Sequence, residues 1–397
     1  MFSKESGGNI TPGIKNDLSA TSLPDNRYSI RIVEISFNYS SQFNDPNSLI
    51  EAYKGGFGYI KYIKEKFDLH VVEHMNFEGT LKVDGVPWYF FKSRNKFWYI
   101  PFKTLRHLKR LKPDIVFHQG MNFPIQVIAM YLWLPKRTKI VLQNHFEEPY
   151  KGIKKIFQRV ADKFIDAYVF TSYGNAKSWI DSKVISDPGK CHEVFEGSSY
   201  FTKQDKRESQ NKTGMHGDNN FLWVGRLMPR KDPLTMLAGF EKYLDVNPEA
   251  KLYMIYGDDE LLGDVKRFLQ KNEELNNAVH LTGKLPQNEL QDWYNAADFY
   301  LSASLGDATS FALVESMACG CIPIATDIPS FIKITDNGRY GILYQAGSPD
   351  DFFEKLCTLK NINREQLSES ILEYFNSNLS FKSIADNLVS IFNELVK

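Results

Sequence analysis

The chain has little cysteine, no net charge and no long apolar run, and each shortage removes a class of protein. Four cysteines in 397 residues (Cys191, Cys319, Cys321 and Cys357) are too few and too scattered for a disulfide framework. Free thiols in a reducing compartment are the plain reading, and the Cys319–Cys321 pair lacks the spacing and companions of a zinc site. Lysines and arginines number 48, and so do aspartates and glutamates, so no overall field recruits nucleic acid. No stretch reaches the ~20 uninterrupted apolar residues of a membrane span. Residues 1–27 are polar, rich in Gly, Ser and Pro, and have no apolar centre, which predicts a loose tail rather than a signal peptide or anchor. These absences together predict a cytoplasmic protein.

What remains is a folded, two-domain composition. Hydrophobic residues make up 43% and aromatics 14%, and the length exceeds what one ordinary core serves. Short β-rich runs at 29–37, 69–74, 88–91, 114–118, 139–143, 167–171 and 192–195 alternate with helical patterns. One helix is expected within 50–67, opened by Gly55 and Gly56, and others at 104–111 and 125–134. Alternation of this kind predicts βαβ units and a mostly parallel sheet. The polar stretch 200–219 reads as a linker, after which the rhythm restarts over 221–326. The expected architecture is α/β: a doubly wound, Rossmann-like domain over 28–205, a second over 206–375, and a cleft between them. The segment 376–397 places Ile384, Leu388, Ile391 and Leu395 on one stripe, an amphipathic helix expected to cross back to the first domain.

Two stretches carry the chemistry. In FLWVGRLMPRKD, residues 221–232, a strand ends near Val224, Gly225 allows a turn, and Arg226 and Lys231 project just before a helix. Two cations beside a helix N-terminus make an anion site, and a solvated basic loop with Arg230 is the bland alternative. In GDATSFALVESMACG, residues 306–320, Asp307 lies in a turn, Thr309 and Ser310 resemble an N-cap, and Glu315 follows among apolar neighbours. A carboxylate in such company needs partners. The helical rise between the two acids spans about 12 Å, the reach from a ribose to a sugar across a diphosphate. Asp307 could then hold sugar hydroxyls, Glu315 a ribose, and the free amides of Thr309, Ser310, Phe311 and Ala312 the phosphates.

VGRLMPRKD followed by GDATSFALVESMACGCIPIATD closely resembles the donor-site signature of GT-B fold glycosyltransferases, in particular the retaining family 4. The resemblance covers residues 221–345 well, and the order and spacing of several motifs make it specific. Upstream, KPDIVFHQG, KIVLQNH and ADKFIDAYVFTS look like that family's acceptor domain more loosely, and FEGSSYF replaces its asparagine–glycine stretch. The resemblance implies transfer of a sugar from a nucleotide-diphosphate donor, a UDP- or GDP-sugar, to a glycan or lipid-linked acceptor. Retention at the anomeric carbon is implied, with neither metal nor other cofactor. Arg226 and Lys231 would neutralise the leaving diphosphate, Glu315 would bind the ribose, and Gly283 to Leu285 would edge the base pocket. Asp307 stands where relatives carry the first glutamate of an E-x7-E pattern. Gly55 and Gly56 would be a glycine pair bringing amides towards the phosphates. His145 matches a histidine that contacts the transferred sugar, while His118 competes with Gln119 for another acceptor-side position.

Three departures matter: the shorter Asp307, Ala308 and Ser310 in place of glycines, and DIPSFIKITDNGRYG without its usual glycine pair and glutamate. They leave open a nucleotide-sugar binding module that does not turn over. A nicotinamide-dependent oxidoreductase is disfavoured because no strand is followed by G-x-G-x-x-G. The acids of GDDE, 257–260, read as a water-facing loop rather than a metal site. Residues 92–112 carry eight Lys/Arg with Phe97, Trp98 and Tyr99 among them, and 151–164 adds five more basic residues. That mixture suits peripheral contact with an anionic membrane, or else a solvated helix face.

Overall fold

The computed structural model describes residues 30–93 and 96–397, so the expected tail at 1–27 lies outside the described residues. Among these residues the first sheet holds β1 (Arg31–Ser40), β2 (Asp68–Met75), β3 (Gly79–Val83), β4 (Val86–Phe91), β5 (Ile115–Gln119), β6 (Lys139–Gln143), β7 (Ala167–Phe170) and β8 (Cys191–Glu193). Its order is β3-β4-β2-β1-β5-β6-β7-β8, parallel except between β3 and β4. The second sheet holds β9 (Asn220–Gly225), β10 (Lys251–Tyr256), β11 (Val279–Gly283), β12 (Phe299–Ser302), β13 (Ile322–Thr326) and β14 (Ile342–Tyr344). It is parallel throughout, in the order β11-β10-β9-β12-β13-β14. Strands such as IVFHQ and IPIAT are buried along their whole length because helices cover both faces.

Strand order reverses between β1 and β5 in the first sheet and between β9 and β12 in the second. Crevices open at such reversals, beyond the carboxyl ends of the strands. The turns after β6, β7 and β8 touch those after β9, β12 and β13, so the two carboxyl edges face each other.

Three local expectations change. The β3–β4 hairpin escaped notice, although Asp84–Gly85 is a strong turn signal; both residues have positive φ, 49° and 88°. The linker contains a helix, Lys206–Thr213, because the Asp205 side chain accepts from the Glu208 N–H and Gly214 closes it in the left-handed region. Its residues are almost all polar, so no periodicity betrayed it. The helix expected within 50–67 is three short pieces, Pro46–Ala52, Lys54–Phe57 and Ile60–Ile63. Gly58 lies between the last two, and a Cβ there would sit 2.4 Å from the Phe381 ring. The last helix, Phe381–Leu395, buries Ile384, Leu388, Ile391 and Phe392. The Phe392 ring lies 6.2 Å from that of Phe67 and 5.5 Å from that of Phe117, in the first domain's core.

Candidate active site

Two turns at the second sheet's reversal clasp one another. After β9, Pro229–Lys231 forms a single 3-10 turn, and Asp232, in the left-handed region, leads into the helix Pro233–Leu244. Lys231 Nζ reaches Oδ2 of Asp307 at 2.5 Å. Arg230 Nη1 donates to the Gly306 carbonyl at 2.6 Å and lies 3.3 Å from Asp307 Oδ1. The Leu305 N–H donates to the Arg230 carbonyl at 2.9 Å. Lys231 and Asp307 are only 16% and 13% exposed, so their charges meet in a partly dry setting. The expected division, with Lys231 on phosphate and Asp307 on sugar, is therefore not what the side chains show: they hold each other. Arg226 does not join them. Its guanidinium is 54% exposed and lies 3.8 Å from Asp258.

Glu315 belongs to a separate constellation. Its helix, Phe311–Ala318, starts after Ser310 and stops before Gly320, whose φ of 69° suits glycine. From Leu313 to Ala318 the helix is buried on every side, and Glu315 Oε2 accepts from the Tyr294 hydroxyl at 3.0 Å. Burial raises its carboxyl to about 7, against opposing pulls from Tyr294, Gln287 and the Lys54 charge. Beyond β10 and β11 a recess of about 560 Å³ is lined by Tyr256, Asp258, Glu260 and Lys284. Gly283 ends β11 at φ 81°, and Leu285 is half-buried against the core. Asp258, which lines this recess, is the ion-pair partner of Arg226. The GDDE acids are exposed, as expected.

The first domain supplies the facing wall. The Thr309 hydroxyl pairs with that of Thr171 at 2.8 Å, and the Asn175 amide donates to the Asp307 carbonyl at 3.1 Å. Arg230 lies over the Phe146 ring at 5.2 Å. The Phe311 ring packs against Gly55 and Gly197, where added Cβ atoms would lie 3.1 Å and 2.6 Å from it. Gly56 faces open space. Thr309 and Ser310 are buried, so the groups at this helix start that remain for an anion are amides, those of Phe311 and Ala312 among them.

His145 follows β6 in the same wall. Its Nδ1 lies 2.9 Å from Glu196 Oε2 and its Nε2 2.9 Å from Gln119 Oε1. Gln119 Nε2 donates onward to Glu34 Oε1 at 3.1 Å, and the Tyr59 hydroxyl donates to the same oxygen at 2.9 Å. Partial burial pulls the His145 imidazole down, but the Glu196 carboxylate, helped by Glu147 and Glu34, raises it overall. Burial pushes Glu34 up to about 7. A polar chain thus runs from the cleft into the first sheet.

The profile of "Glycosyl transferases group 1" matches residues 218–361. Alpha-monoglucosyldiacylglycerol synthase of Streptococcus pneumoniae is 25% identical over 318 residues, covering 74% of this chain and 70% of that protein. Spore coat protein SA of Bacillus subtilis is 23% identical over 287 residues, 66% of this chain and 76% of that one. In fold, a glycosyltransferase from Rickettsia africae superposes with a TM-score of 0.72 at 14% identity, over 94% of this chain and all of that one. Anabaena Alr3699/HepE, in complex with UDP, gives 0.69 at 12% identity, over 92% and 100%. Residues 218–361 thus resemble the group 1 glycosyl transferases, and the chain as a whole shares the two-domain fold of these solved glycosyltransferase structures.

His118 departs from its expected place. It lies on the face of β5 opposite to that of Gln119, fully buried beside Phe37 and Phe123, with Nδ1 bonded to the Gly120 carbonyl. Burial pushes its imidazole down to about 3, which keeps it neutral. The adjacent Gln119 faces His145 instead, because side chains alternate along a strand. Sequence reasoning missed four residues of the candidate site. Arg230 was visible beside Lys231, and Glu196 lay in FEGSSYF. Tyr294 and Glu34 carried no local signal, since only the tertiary fold brings them to Glu315 and Gln119.

Proposed function

We propose that this chain is a retaining, family 4-type glycosyltransferase that moves a sugar from a nucleotide-diphosphate sugar to a glycan or lipid-linked acceptor. The observation that carries the proposal is the pairing of Lys231 and Arg230 with the Asp307 turn at the strand-order reversal, with Phe146 against Arg230 and Gly55 against Phe311 from the first domain. UDP in the complex of the Anabaena neighbour supports a uridine donor, and a glucosyldiacylglycerol synthase among the relatives supports a lipid acceptor.

Arg226 is loosely held, and an exposed ion pair of this kind is worth ~0–1 kcal/mol, so a diphosphate can recruit it cheaply. Lys231 and the amides at the Phe311 helix start would meet the same phosphates from the other side. Glu315 would accept from the ribose hydroxyls, with Gly283 to Leu285 beside the base. As the bond from C1 to the phosphate oxygen breaks, negative charge collects on the diphosphate, where these fixed cations and amides stabilise it. The acceptor oxygen bonds to C1 on the same face, and its proton passes to the departing phosphate. His145, its Nδ1 held by Glu196, would turn its Nε2–H from the Gln119 oxygen to a hydroxyl of the transferred sugar when the donor binds. No side chain needs to act as nucleophile, and the proposed step uses no metal.

The test is a thermal-shift screen of UDP- and GDP-sugars, followed by transfer to candidate acceptors and assignment of the product's anomeric configuration by NMR. Donor-specific stabilisation and a retained anomer support the proposal. Stabilisation without any turnover or donor hydrolysis favours the alternative, a binding module, which the Asp307 and glycine departures also motivate.

A further inference from the structure

The helix Ile153–Asp162 is packed with its polar side inward. Its buried residues are Gln158, Ala161 and Asp162. Gln158 is bonded to the backbone of Tyr150 and Met121, and Asp162 accepts from the Tyr168 hydroxyl and from Ser186. The polar side is thus satisfied inside the protein, and the apolar side is left in water. Ile153 and Ile156 are 65% and 57% exposed, and Val160 shares their face. A soluble helix ordinarily does the reverse.

The apolar surface extends beyond this helix. Trp98 packs edge-on against Phe157 at 5.0 Å while remaining 58% exposed. Phe102 leans on Trp133, and Leu132 beside it is exposed. Exposed apolar side chains gathered in this way mark an interaction surface. Cations flank them: Lys151, Lys154, Arg159 and Lys163 are exposed around the helix, with Lys109 and Lys136 over Trp133 and Tyr131. The helix's one acid, Asp162, is turned inward.

We propose that this face is a docking surface for an anionic lipid bilayer, with Ile153, Ile156 and Trp98 entering the headgroup boundary and the flanking cations meeting lipid phosphates. Charge selects the occupant. Basic side chains around an apolar helix face match an anionic interface, and an exposed Trp suits the headgroup level. The surface is also well placed, because the helix follows the loop that carries His145 and Phe146 into the cleft. The inference deepens the proposed lipid-linked acceptor but rests on observations independent of the donor site.

Co-sedimentation of the full chain with phosphatidylglycerol-containing and pure phosphatidylcholine vesicles tests it, with UDP-sugar thermal shifts recorded in parallel as a separate check on the donor site. The wild type is expected to sediment with the anionic vesicles at low salt and to be released at high salt. The variants I153S/I156S and K154E/R159E are each expected to bind at least tenfold less while keeping the wild-type melting temperature and donor shift. No binding to anionic vesicles at low salt, equal binding to neutral ones, or unchanged binding in both variants overturns the proposal. So does a wild-type dimer that dissolves in I153S/I156S without any vesicle binding, which would assign the face to a second copy of the chain.

Discussion

Lys231 and Asp307 come from turns that follow different strands, yet Nζ and Oδ2 lie 2.5 Å apart. The pair fixes where the lysine's charge stands before any donor arrives, which is what a preorganised anion site requires. Lys231→Ala is expected to lower kcat/KM by about 10²–10³-fold, with partial recovery in Lys231→Arg. Arg226→Ala removes a mostly exposed group, so its effect should fall on donor KM, about tenfold, with stability unchanged within about 0.5 kcal/mol. Steady-state kinetics beside thermal melts separate the two; equal loss of stability in both variants contradicts the division of roles.

Glu315 is drawn up to about 7 by burial, so a modest change of pH alters its charge. A carboxylate accepts from two ribose hydroxyls better than a protonated carboxyl does. Donor KM should therefore fall as pH rises from about 6 to about 8, by up to about tenfold. The dependence should disappear in Glu315→Gln, whose KM stays high throughout. A Glu315→Gln profile that still follows the wild type places the titration elsewhere.

Glu34 controls stability rather than donor affinity. Its ordinary carboxyl value of 4.5 rises to about 7 in the fold, chiefly through burial, so between those values the folded chain holds a proton that the unfolded chain releases. Stability from this group therefore falls as pH rises through that window and levels off above it. Glu315 acts in the same direction. Melting temperature should be lower at about pH 8 than at about pH 5, and Glu34→Gln should narrow that gap by abolishing its own share. An unchanged gap in Glu34→Gln would show that its carboxyl titrates normally.

Gly197 and Gly55 are not equally replaceable. A Cβ on Gly197 would lie 2.4 Å from the Gly55 carbonyl oxygen, which is backbone and cannot swing aside; one on Gly55 would meet the Phe311 ring at 3.1 Å, a side chain that can yield, and the Ser198 carbonyl oxygen only at 3.2 Å. Gly197→Ala is expected to cost about 1–3 kcal/mol and to loosen the contact between the domains, while Gly55→Ala costs less. Chemical denaturation of both variants, with scattering to follow domain separation, checks the order. Phe311→Ala should not rescue Gly197→Ala, since the carbonyl clash remains.

The regular parts of this molecule were legible in its sequence because their signals are local. The runs DIVFH and KIVLQ and the helix stripe of Ile384, Leu388 and Ile391 declare strands and a helix by periodicity alone. The order of GRLMPRK and GDATSFALVE likewise carried the donor-site resemblance. What escaped depended on contacts between distant segments. No local feature tells Lys231 that Asp307 will neutralise it, or directs Arg226 to Asp258. His118 and Gln119 are adjacent, and only the register of β5 decides which one meets His145. The basic stretch at 151–164 does not declare which side of its helix is buried; Tyr168 and Ser186 reveal it by holding Asp162 inside.

Isothermal titration of a matched nucleotide-diphosphate sugar into wild type, Lys231→Ala and Arg226→Ala probes the central proposal most directly, with product anomer followed in the same preparations. Saturable binding by the wild type, weakened at least tenfold in either variant and accompanied by transfer with retained configuration, is the predicted result. Wild-type affinity undiminished in both variants, or a product of inverted configuration, would contradict it.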